Sequence, residues 1–222
     1  MRGSQIVGGV FLGALLAVGL FFFPTRSCSK NFDAGLTTEG PAAPRSGSQS
    51  AAAPAGADSG GQAFTAPGIR FQPPPEWIRE SPSSSMRKAQ YRLPTAQGDP
   101  ESAELIVFYF EGGGGGVQAN IDRWVGQFSL PGGASARSAS KTSRRESNGI
   151  PLTLLDVRGT YNRSVGGPMS GQTEPLPGFR MLAAVAETSA GPYFFKLTGP
   201  EKTVEAWEDE FDRFLQTIAP HS

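Results

Sequence analysis

The sequence predicts an α+β fold in which helices flank a mostly antiparallel sheet, preceded by one transmembrane helix and a disordered linker. Three observations support this prediction. Apolar runs of strand length alternate with turn signals, two segments carry apolar residues at helical spacing, and an uncharged apolar segment leads into a stretch rich in Ala, Gly, Ser and Pro. We therefore divide the 222 residues into an N-terminal anchor with its flanks (1–30), a linker (31–66) and one globular α+β domain (67–222).

The predicted anchor is residues 6–23, eighteen residues without charge or proline. As a helix it would extend roughly 27 Å, close to the bilayer hydrocarbon thickness of about 30 Å. It is longer than a signal-peptide apolar core of about 7 to 15 residues, and no clear cleavage site follows. We expect an uncleaved single-pass anchor in the cell membrane with the domain extracytoplasmic. Cleavage near Ser27 or Cys28, giving a secreted protein, and lipid attachment at Cys28 are the alternatives.

The linker, residues 31–66, contains almost no large apolar side chain. Such a segment cannot bury enough surface to offset the entropy lost on ordering, so we expect it to be disordered. A flexible chain of about 36 residues has an end-to-end distance of roughly 30 to 36 Å. The anchor-linker-domain layout, together with a composition rich in Ala, Gly and Arg, indicates a bacterial protein.

The first half of the domain contains three predicted strands. A short one at 68–71 ends before three consecutive prolines, and Trp77, just beyond them, is a candidate core residue. Residues 86–93 alternate apolar and polar side chains, as a half-solvated strand does. The strand at 104–110 is apolar on both faces and is therefore predicted to be central and covered on each side.

Five glycines, residues 112–116, join this strand to a predicted helix at 117–128. Glycine loops between strand and helix often hold phosphates. A P-loop, however, needs Lys and Ser or Thr after its last glycine, where Val117 and Gln118 stand. The dinucleotide fingerprint fails at its sixth position when it starts at Gly112, Gly113 or Gly114, and at its first position when it starts at Glu111. The sequence therefore predicts no nucleotide site, and we interpret the glycines as a flexible hinge.

The second half begins with a polar segment, 130–148, whose basic residues favour a solvated edge strand and hairpin, with a basic binding patch as the alternative. The Asn148-Gly149 turn leads into a strand at 150–161. A final hairpin (179–187 and 193–198) precedes an amphipathic helix at 201–218.

Residues 162–178 are predicted to form a long loop, and long loops in compact domains are often functional. This loop and its borders are the predicted location of a partner-binding surface. Its candidate residues are Tyr161, Arg163, Met169, Glu174 and Phe179.

Several classes of chemistry are excluded. From residue 62 onward, 16 Lys and Arg face 17 Asp and Glu, which gives no basic excess for nucleic acid. The single histidine, His221, lies in the C-terminal tail, and the single cysteine, Cys28, lies outside the domain. The acidic group at 208–212 lies on a predicted helix, where it is interpreted as a solvated face. We therefore assign no catalytic residue, cofactor or metal.

The order of these elements resembles the PsbP-like family, an α/β/α sandwich shared with Mog-type proteins and bacterial proteins of unknown role. The resemblance covers residues 68–219 and consists of an opening motif, a turn before a strand, and closing aromatic residues: Phe71, Pro74, Trp77, Asn148-Gly149, Tyr193, Phe194, Phe195, Phe211 and Phe214. It implies a non-enzymatic binding or assembly factor and supplies no ligand residue.

Together these features predict a membrane-tethered, extracytoplasmic, non-catalytic binding or assembly module of unknown ligand. Its predicted partners are the membrane, through residues 6–23, and another envelope protein. The alternative is an enzyme with an unrecognised site near the 162–178 loop.

Overall fold

The protein is represented by a computed structural model that describes residues 60–110, 112–166 and 171–222. The predicted anchor at 6–23, Cys28, most of the predicted linker and the candidate residue Met169 lie outside the described residues. Within the described part of the chain, no helix is long and apolar enough to cross a membrane.

The described residues form ten strands in two antiparallel sheets. A small sheet pairs β1 (Phe64–Ala66) with β2 (Ile69–Phe71). The large sheet has the order β3-β4-β5-β10-β9-β8-β6, with β7 paired to β8 beside this path. Its strands are β3 (Ile78–Glu80), β4 (Arg87–Leu93), β5 (Ala103–Tyr109), β6 (Phe128–Ser129), β7 (Ser140–Ser147), β8 (Ile150–Val165), β9 (Gln172–Thr188) and β10 (Gly191–Pro200). The predicted mostly antiparallel sheet is therefore confirmed.

In the described part of the chain, three α-helices flank the large sheet: α1 (Val117–Val125), α2 (Glu201–Ala206) and α3 (Glu208–Gln216). The helix predicted at 117–128 ends early because Phe128 enters β6 and pairs with Tyr161 of β8. The single helix predicted at 201–218 is interrupted at Trp207, which has φ −105° and ψ 7°. The Trp207 indole donates a 2.8 Å hydrogen bond to the Pro94 carbonyl, which holds the ring at this break.

One face of the sheet is covered by α2 and α3. Phe214 lies at its centre, with ring centroids 5.3 Å from Phe71, 5.0 Å from Trp77 and 5.7 Å from Phe195. Trp77 is fully buried, as predicted. Phe64 stacks on Phe71 at 4.6 Å, so β1 is held against this core although it falls inside the predicted linker.

The opposite face is covered only in part. The buried side of α1, with Ile121, Trp124 and Val125, packs over β8, β9 and β10. The nine-residue helix α1 is about 13 Å long, whereas the seven adjacent strands of the large sheet are together roughly 29 Å wide. The strand predicted to be covered on both sides is therefore buried on one face only, and Ile106 and Phe108 on its other face stay half-buried.

The prediction of a long loop at 162–178 is wrong. β8 and β9 pair continuously as far as Val165 and Gln172, which leaves 166–171 as the connection. We call residues 162–165 and 172–175 the β8–β9 arm, because they pair with each other beyond the body of the sheet. The arm lacks apolar alternation since both of its faces are open to solvent, and this is why its sequence resembles a loop.

The strand β7 is exposed and pairs with β8 at the side of the sheet, as the predicted edge strand and hairpin require. Its two-residue turn has φ 48° at Asn148 and 84° at Gly149. Positive φ at both positions is what the Asn-Gly signal predicts for this kind of hairpin.

Candidate functional site

The uncovered part of the sheet forms the floor of an open cleft of about 530 Å³. Ile106 and Phe108 of β5 lie beside Lys196 of β10 on this floor, and Tyr161 and Arg163 of β8 stand at one wall. Volumes of about 300 to 1,000 Å³ are usual for small-molecule sites. The cleft exists because α1 stops short of β4 and β5.

Ion pairs line the rim of the cleft. The Arg87 guanidinium is 3.0 Å from the Glu104 carboxylate, and that of Arg92 is 2.9 Å from Glu80. These side chains are a quarter to nearly half exposed, so each pair contributes little to stability. Their effect is to cancel charge locally around the floor.

Lys196 differs from the other cations of the cleft. Its Nζ donates a 3.1 Å hydrogen bond to Gln127 Oε1, and no described carboxylate lies within the 4.0 Å of an ion pair. Burial lowers the pKa of Lys196 to about 8; Glu104 acts in the opposite direction, and Arg87 and Arg123 lower the pKa further. A half-buried lysine with a strongly shifted pKa in a cleft is a candidate functional group.

The structure brings together three of the five predicted site residues. Tyr161, Arg163 and Phe179 all line the cleft. Glu174 lies on the facing strand of the β8–β9 arm, where its carboxylate is 2.8 Å from Arg163 Nη2. Their role in binding a partner stays a prediction.

Arg163 joins the arm to the body of the domain. Besides Glu174 it contacts Glu101, at 3.4 Å, on the segment that precedes β5. Tyr161 stands next to it in an aromatic row, with ring centroids 5.1 Å from Phe128 and 6.0 Å from Phe179. Burial is the main reason that the pKa of the Tyr161 hydroxyl is raised, so it stays protonated at neutral pH.

Sequence reasoning missed Lys196 and Gln127. One signal was available, because Lys196 interrupts the apolar run of the last strand two residues after Phe194, on the same face. Gln127 gave no signal, since it reaches Lys196 only through the fold. Within the described residues, no group of three His, Cys, Asp or Glu side chains could hold a metal ion.

No protein-family model matches the chain, and no curated protein matches it. Among solved structures, the chain is similar to a cyanobacterial PsbP (CyanoP) from Synechocystis, with a TM-score of 0.45 and 14% identity over 79% of this chain and 100% of that one. It is also similar to a Pseudomonas aeruginosa protein of unknown function, with a TM-score of 0.41 and 15% identity over 72% of this chain and 97% of that one.

A third similar structure is LpqN, which is involved in cell envelope biogenesis of Mycobacterium tuberculosis, with a TM-score of 0.41 and 10% identity over 72% of this chain and 90% of that one. A PsbP protein is thus among the solved structures that this chain resembles, as the sequence predicts. At these identities and TM-scores the similarities carry no information on function.

Proposed function

We propose that this protein is a membrane-tethered, extracytoplasmic binding or assembly module without catalytic activity, and that the cleft beside Lys196 is its binding site. The tether is the apolar segment 6–23 followed by the linker. The observation that carries the proposal is the uncovered sheet floor, which holds apolar side chains and a cation without a carboxylate partner among the described residues. Binding sites typically combine apolar surface with placed polar groups, and in this cleft the polar and charged residues are the majority of the lining.

The composition of the cleft favours binding over catalysis. In the described part of the chain its lining contains neither histidine nor cysteine. Its carboxylates are each engaged by an arginine: Glu80 by Arg92, Glu104 by Arg87 and Glu101 by Arg163. Carboxylates held in this way are typical of structural ion pairs rather than of paired acids and bases.

One observation supports the alternative, an enzyme that uses the same cleft. With a pKa of about 8, Lys196 presents roughly a tenth of its amine in the neutral, nucleophilic form at pH 7. The two functions differ in turnover, so one set of variants can separate them.

Site-specific photo-crosslinking in native membranes tests the binding role. The full-length chain carries a photoreactive phenylalanine analogue in place of Tyr161, with a control in place of Lys202, which is exposed on α2 at the opposite face. We expect a discrete adduct from position 161 and none from 202. Identical adducts from both positions, or none from either, would reject the cleft as the binding site of a protein partner.

Turnover assays test the alternative. We expect no product from a broad panel of carbonyl, ester and amide substrates. A turnover that falls tenfold or more in Lys196→Gln or Arg163→Gln, with unchanged folding, would establish the enzyme instead.

Protease treatment of intact cells and spheroplasts tests the location. An extracytoplasmic domain is cleaved in spheroplasts without lysis. Full protection until lysis would contradict the proposed orientation.

A further inference from the structure

The charges lining the cleft do not balance. Among the described residues, the lining carries four cations and three carboxylates, and each carboxylate contacts one of the arginines. Lys196 is left without a counter-ion on the half-buried floor. Glu174, a fourth carboxylate beside the lining, is 2.8 Å from Arg163 and forms no ion pair with Lys196. A cation on the half-buried floor is costly unless an anion accompanies it, so a bound anion next to Lys196 would offset this cost.

The ammonium group also has unused donors. A protonated lysine has three N–H donors, and the described structure occupies one of them with Gln127 Oε1 at 3.1 Å. Two donors on one nitrogen suit the two oxygens of a single carboxylate. A dianionic phosphate would exceed the one charge that is available.

Apolar side chains lie on one side of Lys196, although Glu104, Arg87 and Arg123 also face it. Ile106 is its register partner across the β5–β10 pair, and the two Cβ atoms of such partners lie about 5 Å apart. Phe108 follows on the same face of β5, and Phe179 and Tyr161 complete an apolar wall. A ligand whose anionic group meets Lys196 would therefore lay the rest of its structure against aliphatic and aromatic surface.

We propose that the ligand of this cleft is a small organic acid, with a monocarboxylate against the Lys196 ammonium and an apolar body against Ile106 and Phe108. This inference rests on the proposed binding role of the cleft and specifies its chemistry. The cleft volume of about 530 Å³ suits a molecule of this size.

Direct binding to the full-length protein in nanodiscs tests the proposal. The probe is 3-phenylpropionate, compared with neutral 3-phenylpropanamide and with dianionic phenyl phosphate, and empty nanodiscs supply the background. Equilibrium dialysis gives the dissociation constants. We expect the acid to bind at least tenfold more tightly than the amide and more tightly than the phosphate. Equal binding of acid and amide would overturn the proposal, and tighter binding of the phosphate would overturn the carboxylate assignment.

Matched variants locate the site. Lys196→Gln should weaken binding of the acid tenfold or more and leave binding of the amide unchanged, whereas Lys202→Gln on the opposite face should change neither. Thermal unfolding of each variant shows whether it is folded. Unchanged binding of the acid to a folded Lys196→Gln variant would overturn the proposal.

A pH series on the wild-type protein gives a result that does not depend on any variant. The charged groups that face Lys196 are Glu104 of β5, Arg87 of β4 and Arg123 of α1. Affinity for the acid should fall as the pH rises from 7 to 9.5 and the ammonium loses its proton, while affinity for the amide stays constant. A flat profile for the acid would contradict the proposed contact.

The outcomes separate this inference from the proposed function. An adduct from position 161 in membranes without binding of the acid would reject the organic-acid ligand and retain the binding role of the cleft. Absence of both would reject both.

Discussion

The guanidinium of Arg180 donates two hydrogen bonds of 2.9 Å to the carboxylate of Asp156. Two further hydrogen bonds, of 2.7 and 2.8 Å, reach Glu208 in the first turn of α3. The Arg180 side chain is only 1% exposed, so all of its interactions are with the protein. This group ties β8 and β9 to the C-terminal helices on the face opposite the cleft.

Replacement of Arg180 by leucine should therefore be strongly destabilising. We expect Arg180→Leu to lower the free energy of unfolding by about 3 kcal/mol, because Glu208 loses the guanidinium that it contacts and Asp156 keeps the more distant Arg158, at 3.8 Å. The matched control is Arg158→Gln. Arg158 is 44% exposed, 2.8 Å from Glu201 and 3.8 Å from Asp156, which Arg180 continues to bind, so its loss should cost about 1 kcal/mol or less. Urea unfolding followed by tryptophan fluorescence measures both, and equal costs would contradict the assigned role of Arg180.

Two buried tyrosines should respond differently to loss of their hydroxyl groups. Among the described residues, the Tyr91 hydroxyl has no hydrogen-bond partner, whereas that of Tyr193 donates a 2.9 Å bond to the Pro67 carbonyl. We expect Tyr91→Phe to leave the free energy of unfolding unchanged or raise it, and Tyr193→Phe to lower it by about 1 kcal/mol. Thermal unfolding of the two variants tests this, and a loss in Tyr91→Phe would indicate a bound water at that hydroxyl.

Two alanine variants can show whether the glycine run at 112–116 is a flexible hinge or a loop with a fixed conformation. Gly114 has φ 58°, and a Cβ there would lie 2.7 Å from a ring carbon of Phe110 and 3.1 Å from one of Phe194. Gly112 has φ 84° with no atom within 4 Å of a built Cβ. Both alanine variants should lose about 1 kcal/mol through left-handed backbone, and Gly114→Ala about 1 to 3 kcal/mol more through overpacking. Equal and negligible losses in urea unfolding would favour the flexible hinge.

The shifted pKa of Lys196 should appear in the pH dependence of stability. The pKa of Lys196 is about 8 in the folded protein and 10.5 in the unfolded chain. Between pH 8 and pH 10.5 the unfolded chain therefore binds more protons than the folded protein does. Below pH 8 the buried charge of Lys196 destabilises the folded state by its full amount. As the pH rises from about 8 to 10.5, this destabilisation disappears and the free energy of unfolding increases. Lys196→Met should be more stable than wild type at pH 7, with the difference shrinking by pH 9.5. Parallel pH profiles would contradict the burial of the charged group.

Local patterns were sufficient for much of the fold. The alternation at β4, the apolar stripe of α1 and the Asn148-Gly149 turn each depend on residues close in sequence, and the structure contains all three. The β8–β9 arm was missed because local patterns were the only signal that the prediction used. Its strands pair across the chain but have no buried face, so no apolar periodicity marks them.

The cleft could not be predicted from local patterns, because it is formed by contacts between residues far apart in the sequence. Tyr161, Arg163 and Phe179 were singled out as borders of a loop, and the structure places them together because β8 and β9 run side by side. Lys196 and Gln127 are 69 residues apart in sequence, and they meet because β10 lies under the end of α1.

The sequence by itself determined which side chains share one face of a strand or helix, since that follows from the backbone periods of two and 3.6 residues. The tertiary structure decided which of those faces is covered. Ile106 and Phe108 are as apolar as Leu105 and Val107, but only the latter pair lies under α2 and α3. Coverage depends on the length and position of helices elsewhere in the chain, and α1 is too short to reach β4 and β5.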